Sequence, residues 1–196
     1  MARSRKSDPE HALQAAISMF WKSGYAAVGT RQIEDEAGIT RFTLQTSYGG
    51  KMALFLMAVD RYLDMFETVA PPVEPDTLDA LADWFTFFLA PPVMPECMAY
   101  GCFLLNTLIE FGGASSEVNQ RASRYYRLLG GRFELALEHL KRLGQLPGDF
   151  DVRQGAQLLQ SSTIGLNVLI RAANSSEAGR PSIDACRSMI HGWARS

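Results

Sequence analysis

Three cysteines, three histidines and nine prolines in 196 residues leave little from which several classes of chemistry could be built. An odd, small cysteine count provides no disulfide framework. No apolar segment follows the opening Met1-Ala2-Arg3-Ser4-Arg5-Lys6, so a cytoplasmic chain with reduced thiols is expected. His11, His139 and His191 lie far apart, without metal-type spacing and without a Ser, His and acid arrangement that stands out from composition. No glycine-rich phosphate loop follows a strand; Gly49-Gly50 reads as a turn and Gly130-Gly131 as a helix irregularity. No cofactor, no metal and no catalysis are therefore expected. The longest mostly apolar stretch, 98–109, falls well short of the roughly 18 to 20 residues a membrane helix needs, which excludes a membrane partner. Charge is also scarce. Nineteen Lys and Arg against 21 Asp and Glu leave a net of -2, too little for a broad basic surface of the kind that covers nucleic acid.

What is present is helix. Apolar residues make up 47% of the chain and recur at three and four spacing, Ala and Leu are frequent, and no segment alternates as a strand does. An all-α fold of about nine helices is expected. Ser7-Asp8-Pro9-Glu10 offers an N-cap, a first-turn proline and a capping-box glutamate for a first helix ending at Gly24. Thr30 can cap a short second helix that Gly38 breaks, and Thr40 a third that runs to about Tyr48. A longer fourth helix runs from Lys51 to about Val69. Beyond Pro71, Pro72 and Pro75, helices are predicted at about 76–90, 98–111, 115–143, 151–174 and 181–194.

The net charge divides unevenly. Residues 1–51 hold seven Lys and Arg against five Asp and Glu, a net of +2, and the remainder carries -4. Within that basic quarter, Thr30 to Tyr48 has helix-turn-helix spacing: Ile33, Ala37 and Gly38 at the turn, then Ile39 and Leu44 facing back to a core. The outer face of the second of these helices is left with Thr40, Arg41, Phe42, Thr43, Gln45, Thr46 and Ser47. These are short polar donors, one aromatic ring and one arginine, with no acid to repel phosphate.

Residues 10 to 64 resemble the N-terminal domain of TetR-type transcriptional regulators. The resemblance rests on Ala15-Ala16-Ile17-Ser18-Met19-Phe20 with Gly24-Tyr25, on Thr30-Arg31-Gln32-Ile33, on Ala37-Gly38-Ile39-Thr40 with Leu44, and on Lys51-Met52-Ala53-Leu54-Phe55. It implies a helix-turn-helix domain at 7–66 and a helical ligand-binding and dimerisation body at 67–196. It further implies that Arg31, Thr40, Thr43 and Lys51 meet phosphate, that Arg41 touches base edges or backbone, and that Tyr48 stands at a core position. Three residues depart from the family pattern: Gln45 replaces a tyrosine, Phe42 a small residue and Glu34 an alanine. Gln45 can read adenine and Phe42 a thymine methyl, or both can make plain backbone or packing contacts. Arg3, Arg5 and Lys6 form a short basic arm suited to a minor groove or to phosphates, or a solvated terminus.

The body is rich in aromatic residues, most of which are expected in its core. The resemblance implies an unknown small-molecule effector bound among its helices, for which Trp84, Phe88, Cys102, Phe103, Asn106, Tyr125 and Tyr126 are candidate contacts. Cys102, at a predicted helix start, would have its thiol pKa lowered by the helix dipole, opening a sub-alternative of electrophile or redox sensing, against an inert buried thiol. The last two helices would pair with their copies in a homodimer, with Gly155, Ala156 and Gly165 allowing close approach, or else pack within the chain. The expected function is a dimeric regulator, a repressor released by its effector, reading a pseudo-palindromic double-stranded operator. The alternatives are a helical protein-binding adaptor and a small-molecule-binding enzyme with no DNA target.

Overall fold

The computed structural model describes residues 8–89 and 94–194. Nine α-helices and three 3₁₀ turns, with no strand, make up those residues. Asp8 caps α1 (Pro9–Ser23) by accepting from the Glu10 amide, and Pro9 occupies the first turn, where no amide is required. Its buried stripe includes Ala12, Ala16, Ile17, Met19, Phe20 and Trp21. The helix stops at Gly24, at φ +81°. Gly29 rather than Thr30 is the cap residue of α2 (Thr30–Ala37), one position earlier than the sequence indicates. Gly38 in the left-handed region turns the chain into α3 (Arg41–Ser47), capped by Thr40, whose hydroxyl accepts from the Thr43 amide at 3.1 Å. Leu44 is the buried residue of α3.

Gly49 and Gly50 lead into α4 (Lys51–Val69), whose buried side includes Leu54, Phe55, Val59, Tyr62, Leu63 and Phe66. This helix packs on α1 on one side and on α6 and α7 on the other, so the N-terminal helices and the body share one continuous core. Charged pairs line the α4–α7 seam. Arg121 grips Asp60 through two nitrogens, and Arg124 bonds both Asp64 and Glu67.

The body consists of α5 (Leu78–Asp83), α6 (Phe103–Phe111), α7 (Ser116–Arg142), α8 (Val152–Ala173) and α9 (Arg180–His191), with 3₁₀ turns at Trp84–Phe88, Pro95–Tyr100 and Ser176–Gly179. Two predicted helices are thus shorter than expected. The segment 76–90 gives α5 and then tightens at Trp84-Phe85-Thr86-Phe87-Phe88. There the Thr86 hydroxyl bonds the Asp83 carbonyl three residues back, Phe85 stacks on Phe133 and Trp84 meets the same ring edge-on. The helix expected from 98 begins at 103, because Gly101 interrupts it at φ +67°, ψ -148°. A side chain at Gly101 would place its Cβ 2.5 Å from the Asn167 carbonyl oxygen. Gly130-Gly131 makes no irregularity: α7 runs through it, and Gly130 admits the Gln160 side chain from α8.

Candidate functional site

The turn between α2 and α3 presents one polar surface. Arg31, Thr40, Arg41, Gln45, Thr46 and Ser47 are exposed and Thr43 is half-buried, while Leu44 anchors the helix beneath them. Phe42 stands 76% exposed, an unusual position for a large ring. The Thr40 and Thr43 hydroxyls lie 3.0 Å apart, and the Thr46 hydroxyl turns back to the Phe42 carbonyl. No acid lies on α3. Glu34, on α2, reaches across the turn and accepts from the Arg41 amide at 2.5 Å, fixing the start of α3 against α2. In the sequence Glu34 stands out only as a departure from the family pattern. Its role as a cap seven residues ahead becomes visible once the Gly38 turn brings the two helices together. Tyr48 is half-buried at the end of α3, and the Lys51 ammonium rests 4.2 Å from the centre of the Tyr25 ring. Arg3, Arg5 and Lys6 lie outside the described residues.

Three contacts fasten these helices to the body. Both carboxylate oxygens of Glu110, in the last turn of α6, accept backbone amides of the loop after α1, from Tyr25 at 2.8 Å and Ala26 at 2.7 Å. The Trp21 indole donates to the Gly101 carbonyl at 2.8 Å in the buried core, and Arg171 of α8 donates to the Lys22 carbonyl. No local pattern announces these links, since the partners lie 80 or more residues apart.

Beside Gly101 lies a nearly closed cavity with a free volume of about 20 Å³, room for a single water. Trp21 reaches it from α1. Tyr62, Met65, Phe66 and Val69 enter from α4, and Phe87, Phe88, Met98, Gly101, Cys102, Tyr125 and Asn167 complete it. Of the candidate effector contacts, Phe88, Cys102 and Tyr125 line this space. Trp84 instead donates its indole N–H to the Val69 carbonyl, and Phe103 is core, stacked on Trp21 and edge-on to Phe55. Asn106 spends its amide on the Tyr100 carbonyl, and Tyr126 is half-buried beside Tyr125. Trp21, Tyr62 and Asn167 were not singled out by sequence, because each sits in a stripe that reads as ordinary helix packing.

The helix-dipole expectation for Cys102 is corrected. Burial pushes its thiol pKa up, and this outweighs the lowering by hydrogen bonds from Tyr62, whose hydroxyl lies 3.1 Å from Sγ, from Tyr125 and from the α6 amides. Cys102 caps α6, yet the missing hydration of a thiolate costs more there than the helix terminus returns. Burial also raises Cys186, and raises Cys97 to about 11; all three thiols are free.

On α8 and α9 two faces separate. Gly155 and Ala156 point inward, Gly155 against Phe150 and Leu137, so they serve packing within the chain. Gly165 faces out, along with Leu158, Ser161, Val168, Leu169 and Ala172, while Ala185, Ser188 and Gly192 are exposed on α9. Among the described residues no three or more His, Cys, Asp or Glu side chains gather as a metal site would require, and no helix is long and apolar enough to cross a membrane.

Comparison with known proteins agrees with this architecture at both ends of the chain. Residues 12–58 match the profile for bacterial regulatory proteins of the tetR family, and residues 76–186 match that for the tetracyclin repressor-like C-terminal domain. The HTH-type transcriptional repressor ComR of Escherichia coli (strain K12) is 25% identical over 179 residues, covering 89% of this chain and 85% of that one. A TetR-family regulator from Cytophaga hutchinsonii superposes over the whole of both chains with a TM-score of 0.80 at 16% identity. The regulator CifR, solved as a cysteine mutant with 26 bp of double-stranded operator DNA, superposes over 95% of this chain and 98% of its own, with a TM-score of 0.71 at 20% identity. With an exposed helix-turn-helix face at one end and a family match spanning most of the body, the chain belongs to the TetR family of DNA-binding transcriptional regulators.

Proposed function

We propose that the chain is a homodimeric repressor that reads a pseudo-palindromic operator through α3 and is released by a small molecule taken into the cavity beside Gly101. The observation that carries the DNA reading is the α3 surface: a solvent-facing arginine, amide and aromatic ring on an acid-free helix whose orientation Thr40, Glu34 and Leu44 fix from behind. Arg41, Phe42 and Gln45 face base edges; Arg31, Thr40, Thr43, Thr46, Ser47 and Lys51 contact backbone. Arg3, Arg5 and Lys6 add phosphate contacts. A DNA-reading unit at 7–66 and a body at 67–196 divide the labour. ComR carries the name of a repressor, and CifR was captured on operator DNA, which support this reading.

A second copy supplies the second reading helix. The outward stripe of Leu158, Ser161, Gly165, Val168 and Ala172 on α8 repeats at four and three residue spacing, as a helix seam does, with small residues that let a partner helix approach. The effector acts by binding more tightly to the conformation that does not fit DNA. Its lever is α4, which carries Lys51 at one end and lines the cavity at Tyr62 to Val69.

Selection of bound sequences from a random DNA pool tests the proposal. A single palindromic consensus, whose affinity falls steeply with salt, is the expected result. Purified dimer without sequence preference would refute the operator reading and favour a protein-binding adaptor.

A further inference from the structure

We propose that the cavity beside Gly101 takes a neutral, flat, aromatic-sized molecule with one hydrogen-bonding edge, its ring against Trp21 and its polar edge at the Cys102 corner. This rests on the effector reading above and specifies the class of ligand.

The lining dictates the charge. Among the described residues no Asp, Glu, Lys, Arg or His side chain lines the cavity, so a carboxylate, phosphate or ammonium ligand would be buried without a counter-charge, at prohibitive cost. It also dictates the shape. Trp21, Tyr62, Phe66, Phe87, Phe88 and Tyr125 surround the space with rings, which receive flat apolar surfaces by stacked or edge contacts.

The polar groups gather at one place. The Tyr62 hydroxyl donates to Cys102 Sγ, and Tyr125 lines the cavity together with them. Asn167 uses one Nδ2 hydrogen on the Thr163 carbonyl, which leaves its second N–H and its amide oxygen to offer. A ligand hydroxyl or carbonyl exchanges hydrogen bonds with this cluster. Because burial keeps the thiol protonated, the exchange is non-covalent.

The free space of about 20 Å³ is smaller than an aromatic ring, so the walls must yield to admit one. They are of yielding types. Met65 and Met98 are unbranched thioethers, and Phe87, Phe88 and Met98 sit on 3₁₀ turns with poorer hydrogen-bond geometry than an α-helix. Trp21 gives the ligand a direct hold on the DNA-reading end, because its indole belongs to α1 while its hydrogen bond goes to Gly101.

Calorimetry on the full chain with 2-naphthol and 2-naphthoate at pH 7 tests the class, since the probes share a skeleton and differ in charge. The expected result is saturable 2-naphthol binding, at least tenfold weaker binding of 2-naphthoate, tighter 2-naphthol binding in Phe88→Ala and loss of it in Val69→Phe, with helix content by circular dichroism showing that both variants fold. Naphthoate binding as tight as naphthol overturns the ligand class and leaves the effector cavity standing. Naphthol binding unchanged in folded Phe88→Ala and Val69→Phe variants overturns the location. Binding of neither probe, to wild type or to Phe88→Ala, overturns both.

Discussion

The carboxylate of Glu110 accepts the backbone amide of Tyr25 at 2.8 Å, joining the last turn of α6 to the loop between α1 and α2 across 85 residues of sequence. The neighbouring Ala26 amide binds the other oxygen, and Gly24 approaches so closely that a Cβ there would lie 2.8 Å from Oε2. Glu110→Gln is expected to lower stability by about 1 kcal/mol, since one charge-assisted bond becomes neutral and the other is lost at an exposed site. Gly24→Ala costs more, because φ +81° strains any L side chain and the carboxylate must move. Urea denaturation measures both. Operator affinity should fall further in these variants than in wild type at equal folded fraction, because the α1–α2 loop is then no longer anchored.

Arg41→Ala should cost about 1 to 3 kcal/mol of operator affinity and relax preference at the base it reads. Lys51→Ala should weaken binding on all sequences alike and reduce the salt slope of log K by about 0.9. Fluorescence anisotropy across a salt series distinguishes the two. An unchanged sequence preference in Arg41→Ala would remove that side chain from base recognition.

Thiol chemistry supplies a pH prediction. Burial raises Cys97 to about 11, above the ordinary 9.0, and raises Cys102 and Cys186 in the same direction. A group whose folded pKa exceeds its unfolded value stabilises the fold below the unfolded value, and that stability is lost as pH rises through the folded one. Thermal midpoints should therefore hold to about pH 9 and decline between about 9 and 11, with a smaller decline in Cys97→Ala. Titration with a chromogenic disulfide at pH 7.5 should show slow modification of Cys102 in native protein and fast modification in denaturant. Rapid native labelling at Cys102 would restore the electrophile-sensing reading.

Gly101→Ala should be among the most damaging single substitutions. It combines φ +67° with a Cβ placed 2.5 Å from a backbone oxygen that cannot retreat without moving α8. A loss of about 3 kcal/mol or more is expected, measured by thermal or urea unfolding.

On α8, Leu158 and Val168 are each 46% exposed although apolar. Leu158→Glu and Val168→Glu together should leave helix content unchanged, shift the sedimenting species from dimer to monomer, and abolish tight operator binding. A dimer that survives both charges would place the subunit contact elsewhere.

Local chemistry made much of the fold legible. Asp8 with Pro9, Thr40 with Thr43, and the glycines at 24, 38, 49 and 50 mark helix ends through backbone requirements that act within a few residues, so α1 to α4 lie close to where the chain suggests. Where several rings follow one another, as at Trp84 to Phe88, helical periodicity misleads, because Trp84 and Phe85 are held against Phe133 of a distant helix in a tighter 3₁₀ turn.

By itself the sequence determined the helical class, the helix-turn-helix corner and the acid-free face of α3, all of which depend on spacing and residue type. Tertiary structure decided which buried side chains share a space. It brought Trp21, Tyr62, Cys102 and Asn167, separated by up to 146 residues, around one cavity, and it joined Glu110 to Tyr25. It also reversed the reading of Cys102. The dipole of a helix start is a local property visible in a sequence, whereas the desolvation that raises this thiol depends on every element packed around it.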